Sequence, residues 1–98
     1  MTINKTQTDS SLTIALEGRL DTSTSPDLEK ELQACLDGIT ELILDFDKLQ
    51  YISSAGLRVI LSAQKQMNKQ GTMVIRHVND TIQEVFEITG FTDILTIE

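Results

Sequence analysis

The strongest constraint on this chain is an alternation. Short apolar runs are separated by stretches whose apolar residues recur at helical spacing. Strand side chains repeat every two residues and helical ones about every 3.6, so the two patterns separate along the sequence. Leu12-Thr13-Ile14-Ala15-Leu16 puts its large apolar residues at 12, 14 and 16, the pattern of a half-buried strand. Residues 2–8 alternate weakly before the turn signal Asp9-Ser10-Ser11, which predicts an edge strand in an antiparallel hairpin. Leu42-Ile43-Leu44 and Met73-Val74-Ile75 are continuously apolar, the signature of strands buried on both faces of a parallel sheet. Gly18 to Thr24 is a polar loop in this reading, and Asp45-Phe46-Asp47-Lys48 leaves the second run.

The intervening stretches are helical. Ser25-Pro26 marks a start, with serine at the N-cap and proline at the first helical position, where its missing N–H is harmless. Leu28, Leu32, Cys35 and Leu36 then share a face, and Gly38 is the stop. A second helix runs from about Ala55 to Gln70 and ends at Gly71. Gly56, Ile60, Ala63 and Met67 form its inner side, flanked by Leu57 and Leu61, while Arg58, Ser62, Lys65 and Lys69 face water. Asn79-Asp80 opens a third helix with the stripe Ile82, Val85, Phe86 and Thr89, and Gly90-Phe91 suits a left-handed C-cap. Ile94 to Ile97 is a last short strand or tail. The order β-β-α-β-α-β-α-(β) predicts one α/β domain over residues 1–98. Its sheet is mixed, mostly parallel and four- to five-stranded, with helices packed on it.

Composition excludes several functions. The net charge is −7, and the eight Lys and Arg residues form no block, so nucleic acid is not an expected partner. The apolar runs are far too short for a membrane span, and the N-terminus lacks the basic start and apolar block of a signal peptide. These features predict a cytoplasmic protein without membrane insertion. One cysteine, Cys35, and one histidine, His77, offer no zinc set and no internal disulfide. Cys35 reads as a core thiol on its helical stripe and His77 as a strand-end residue. Phosphate-binding glycine loops, the G-x-S-x-G elbow and an S-x-x-K at the serines are all absent, and only Asp21 and Asp45 place carboxylates at strand ends. No catalysis and no cofactor are expected.

The remaining chemistry lies in Tyr51-Ile52-Ser53-Ser54-Ala55-Gly56, where a strand-side loop meets the second helix. A helix start leaves N–H groups without partners and carries partial positive charge. A hydroxyl there caps the helix, binds an anion or receives a phosphate, and spacing alone leaves these roles open. Asp21 is open in the same way, between contacting a partner and capping its own loop.

Leu44 to Leu61 resembles the signature of the STAS-domain anti-sigma factor antagonists of the SpoIIAA/RsbV type. Gly18-Arg19-Leu20-Asp21 is similar to that family's G-x-L-D element, and Gly71 to Ile75 and Val85 to Phe91 are similar to its later elements. The resemblance covers almost the whole chain in order. It implies a partner-switching cycle. The unphosphorylated antagonist binds an anti-sigma factor that is also a serine kinase, which frees the sigma factor. Phosphorylation ends the complex, and a PP2C-type phosphatase reverses it. Aligning the family motif D-S-[ST]-G-L on Gly56-Leu57 makes Ser54 the implied acceptor, with Ser53, in the usual aspartate position, as its rival. The implied partner surface is Asp21, Thr22, Ser53, Ser54, Ala55, Gly56 and Arg58. The alternatives are a STAS adaptor in a transport or stressosome-like complex, and an anion- or nucleotide-sensing module.

Overall fold

The computed structural model describes all residues, 1–98. Strands β1 (Thr2–Thr8) and β2 (Ser11–Leu20) lead to helix α1 (Ser25–Cys35). Strand β3 (Glu41–Ile52), helix α2 (Ser54–Gln70), strand β4 (Thr72–Arg76) and helix α3 (Asp80–Thr89) follow. A single 3-10 turn, Phe91–Asp93, comes after Gly90. The sheet order is β1-β2-β3-β4, with β1 antiparallel to β2 and the other pairs parallel. The expected order and mixed sheet are both present. The last segment is a single parallel bridge, Ile75 to Ile97, on the outer edge of β4.

The helices cover one face of the sheet, not two. Leu12, Ile14 and Leu16 of β2, Leu42, Leu44 and Phe46 of β3, and Met73 and Ile75 of β4 are buried. The residues between them, Thr13, Ala15, Ile43, Asp45 and Val74, are only half-buried. The continuous apolar runs thus misled. Strand order follows chain order, so each crossover steps in the same direction across the sheet. Crossovers of one hand stepping one way deliver their helices to the same face. Each large side chain fully buried there contributes about 1.5–3 kcal/mol.

Two strands are longer than their apolar runs. Gly18-Arg19-Leu20 continues β2, and Asp45 to Ile52 continues β3. These residues pair with each other as far as Leu20 opposite Ile52, through irregularities between Ala15 and Glu17 and between Gly18 and Arg19. Ladder bonds from a distant partner outweigh the polar, turn-like composition.

Other local expectations shift as well. The α1 N-cap is Thr24, and Ser25 is a buried helical residue whose N–H and hydroxyl both donate to the Asp21 carbonyl. α1 ends at Cys35, and Gly38 occupies the turn beyond it at φ 81°. Cys35 is half-buried at the rim of the core, with Lys5 Nζ 3.4 Å from its Sγ, because the helix rotates the 35 position toward β1. Thr89 is exposed, and its hydroxyl donates to the Val85 carbonyl at 2.7 Å. Gly90 caps α3 in the left-handed conformation at φ 79°, as expected.

Candidate functional site

The site forms where β2 and β3 end side by side. The Ser53 N–H donates to the Leu20 carbonyl at 2.9 Å, closing the β2–β3 ladder. Ser53 stays extended at φ −98° and ψ 175°, and its Oγ accepts from the Gly56 N–H at 3.4 Å. Its carbonyl accepts the first helical bond, from Leu57 N–H at 2.9 Å. Ser53 is therefore the N-cap. α2 begins at Ser54, one residue before the expected start. Ser54 is exposed, and its hydroxyl has no partner within the chain. The first turn contains no acidic residue, so no carboxylate of its own offsets the positive end of the helix.

Gly56 brings the helix this close. A Cβ there would lie 2.8 Å from Leu20 Cγ, 2.9 Å from Ile52 Cγ1 and 3.0 Å from the Leu20 carbonyl oxygen. Gly56 itself is buried, so within the expected partner surface it serves packing.

Asp21 follows Leu20 directly. Its Oδ1 accepts from Ser23 Oγ at 2.8 Å, Ser23 N–H at 3.0 Å and Thr24 N–H at 3.2 Å. The Ser23 hydroxyl, helped by the backbone N–H groups of Thr24 and Ser23, holds the Asp21 carboxyl below the usual carboxylate range. Asp21 thus ties its own loop, and its Oδ2 faces Arg19 Nε at 3.8 Å. The Arg19 guanidinium also lies over the Tyr51 ring, 4.4 Å from its centroid. Arg19 and Tyr51 are cross-strand partners only because of the shift in register, and no local signal marks it.

Thr22, Ala55 and Arg58 come together at the head of a cleft between α1 and α2, which Ser25, Pro26, Glu29, Val59 and Ser62 complete. The cleft runs on between the helices past Leu32, Gln33 and Gln66. Asp21 and Ser54 lie outside its walls. A separate depression, lined by Asn4, Ala15, Glu17, Asp45, Asp47 and Lys48, occupies the sheet face that the helices leave open. His77, past the end of β4, meets Asp45 at 2.8 Å. No cluster of three His, Cys, Asp or Glu side chains is placed to hold a metal ion. No helix is long and apolar enough to cross a membrane.

Ser54 thus presents a bare hydroxyl on the first residue of α2, close to the loop that Asp21 ties. The sequence matches the model of the STAS domain over residues 2–98. The chain belongs to the STAS domain family. It is similar to BtrV of Bordetella bronchiseptica, named for an anti-sigma factor antagonist role, at 38% identity over 99% of this chain and 85% of that one. The anti-sigma-B factor antagonist of Staphylococcus aureus is 29% identical over 99% of this STAS chain and 92% of its own. Among solved structures, unphosphorylated SpoIIAA matches with a TM-score of 0.78 at 17% identity, over 99% of this chain and 87% of that one. Phosphorylated SpoIIAA, of Bacillus, matches at 0.77 and 18%, over 99% and 91%. The STAS fold implied by the sequence signature is the fold observed.

Proposed function

We propose that this STAS protein is a non-catalytic anti-sigma factor antagonist of the cytoplasm, switched by phosphorylation of Ser54. Unphosphorylated, it binds an anti-sigma factor that is also a serine kinase, and so releases a sigma factor. The surface offered is the head of the cleft, with Thr22, Ala55 and Arg58, together with the neighbouring Asp21, Ser53 and Ser54. The kinase then transfers the γ-phosphoryl group of ATP. An O–P bond forms at Ser54 Oγ as the bond to ADP breaks, and the hydroxyl proton passes to a base on the kinase. A PP2C-type phosphatase restores the hydroxyl. Both relatives named for antagonist roles, each matched over 99% of this chain, support the reading.

The observation that carries the choice of serine is the division of labour at the α2 start. Ser53 Oγ is engaged as the cap, while Ser54 Oγ is exposed and unengaged. The phosphate would add about −1.5 to −2 charges beside free helical N–H groups, where an anion is favoured. The fold therefore tolerates the modification, and the partner, which must desolvate or approach a dianion, does not. SpoIIAA keeps this fold in both of its phosphorylation states.

Incubation with the anti-sigma kinase and ATP, followed by mass spectrometry of peptides, tests the assignment. Phosphate is expected on the wild type and on Ser53→Ala, and not on Ser54→Ala. Undiminished labelling of Ser54→Ala would sink it.

A further inference from the structure

The outer face of α2 carries a cation that nothing in the chain uses. Arg58 follows Ser54 by four residues, and both side chains are exposed. Residues at i and i+4 lie on one side of a helix with Cβ atoms about 5–6 Å apart. Arg58 takes part in none of the four ion pairs of the chain. The other cations are placed differently. Arg19 is already stacked on Tyr51 and turned to Asp21. Lys65 and Lys69 lie further along the same stripe, at least about 16 Å from Ser54 at 1.5 Å per residue.

The anionic surroundings are sparse. Glu29 of α1 lines the same cleft as Arg58 without pairing with it. The Asp21 carboxylate is engaged by Ser23, Thr24 and Arg19. The first turn of α2 has no acidic residue. Arg58 is thus an unpaired guanidinium one turn from the one free hydroxyl at this helix start.

We propose that Arg58 is an intramolecular clamp for a phosphate on Ser54. This rests on the reading above that Ser54 is the acceptor. A guanidinium presents a rigid fork that matches two phosphate oxygens, and charge-assisted bonds of this kind are roughly twice as strong as neutral ones. The first-turn N–H groups that Ser53 does not engage lie at the same helix end. Phosphorylation therefore changes the surface in two ways at once. It adds a dianion at position 54, and it withdraws the Arg58 charge from the mouth of the cleft. A partner that pairs a carboxylate with Arg58 loses that contact as well as meeting the phosphate.

The test uses the full chain with phosphoserine installed at position 54 during translation, so that no kinase is required. Phosphorus NMR follows the second ionisation of the phosphate against pH. The wild-type midpoint is expected to lie lower than that of Arg58→Gln by about half a unit or more, the sense in which a close opposite charge moves a pKa. Lys65→Gln and Arg19→Gln are expected to keep the wild-type midpoint. Circular dichroism checks that each variant is folded, as the exposure of Arg58 predicts. Equal midpoints for wild type and Arg58→Gln overturn the clamp. So does an equally large shift in Lys65→Gln, which would mean a diffuse field in place of a contact. A kinase that leaves Ser54 unmodified would refute the acceptor assignment and would not alter these midpoints, so the two failures are distinguishable.

Discussion

Ser53 and Ser54 share a residue type and a helix end, yet their backbones separate their roles. Ser53 is extended and turns its hydroxyl back onto the Gly56 N–H. Ser54 is already helical, and its side chain leaves the axis into water. A serine pair before a helix-period stretch was legible because capping is a local property. Which serine is free depended on where the helix begins, and the Ser53–Leu20 bond sets that point. Gly56 shows the same dependence. Its need for glycine arises from Leu20 and Ile52, which the chain delivers from two other strands. Gly56→Ala places a Cβ within 3.0 Å of the Leu20 backbone, so the helix start must shift. Overpacking of this kind costs about 1–3 kcal/mol. Urea denaturation is expected to show a lower midpoint with an unchanged slope. An unaltered midpoint would show that the α2 start is not held by this contact.

Helix α3 is tied to the sheet through a few identifiable groups. The Asn79 side chain caps it through Oδ1, accepting from Ile82 N–H at 2.8 Å, while Nδ2 donates to the Leu49 carbonyl of β3 at 2.9 Å. One amide thus starts the helix and ties it to the sheet. Phe86 completes the docking against Phe46, with ring centroids 6.5 Å apart and planes tilted by 36°. Both rings are fully buried. Phe86→Ala removes the main apolar anchor and is expected to cost about 3–5 kcal/mol, measured by thermal or chemical unfolding. A cost below about 1 kcal/mol would mean that the α3 layer collapses to fill the space. The start of this helix and its stripe through Ile82 and Phe86 were legible from spacing. The outer position of Thr89 was not, since its hydroxyl is satisfied by its own helix.

The whole molecule adds a pH dependence that no single element contains. His77, at φ 61° just beyond β4, pairs with Asp45 of β3. The hydrogen bond and the charge of Asp45 hold the His77 imidazole above its ordinary value. Partial burial works against ionisation of Asp45, but the His77 bond and the Asp47 N–H outweigh it and leave that carboxyl below its ordinary value. The His77 contribution to stability is therefore complete below about pH 6.5 and is lost as pH rises through the raised folded value. The Asp45 contribution is present above about pH 3.9 and is lost as pH falls through the lowered folded value. His77→Asn, which keeps a residue tolerant of positive φ, is expected to reduce stability at about pH 5.5 and to match the wild type at about pH 9. A difference that grows with pH would reverse the sign and remove the pair as its cause. The effect is small, because the pair is exposed to solvent.

The sequence by itself determined the order and kind of elements, the mixed sheet and the serine pair at a helix start. Repeats of 2 and about 3.6 residues, caps and turn residues act over a few positions, so they can be read without knowing the fold. Tertiary structure decided that the sheet is covered on one face, that β2 and β3 run on through polar residues, and that Cys35 sits at the rim. It also placed Arg19 on Tyr51, His77 on Asp45 and Gly56 against Leu20. Each of these joins residues distant in sequence through strand register or crossover direction, quantities to which local periodicity is blind. The hydroxyl of Ser54 belongs to both accounts, since its residue type was legible and its freedom was decided by the β2 carbonyl that holds its neighbour Ser53 in place as the cap.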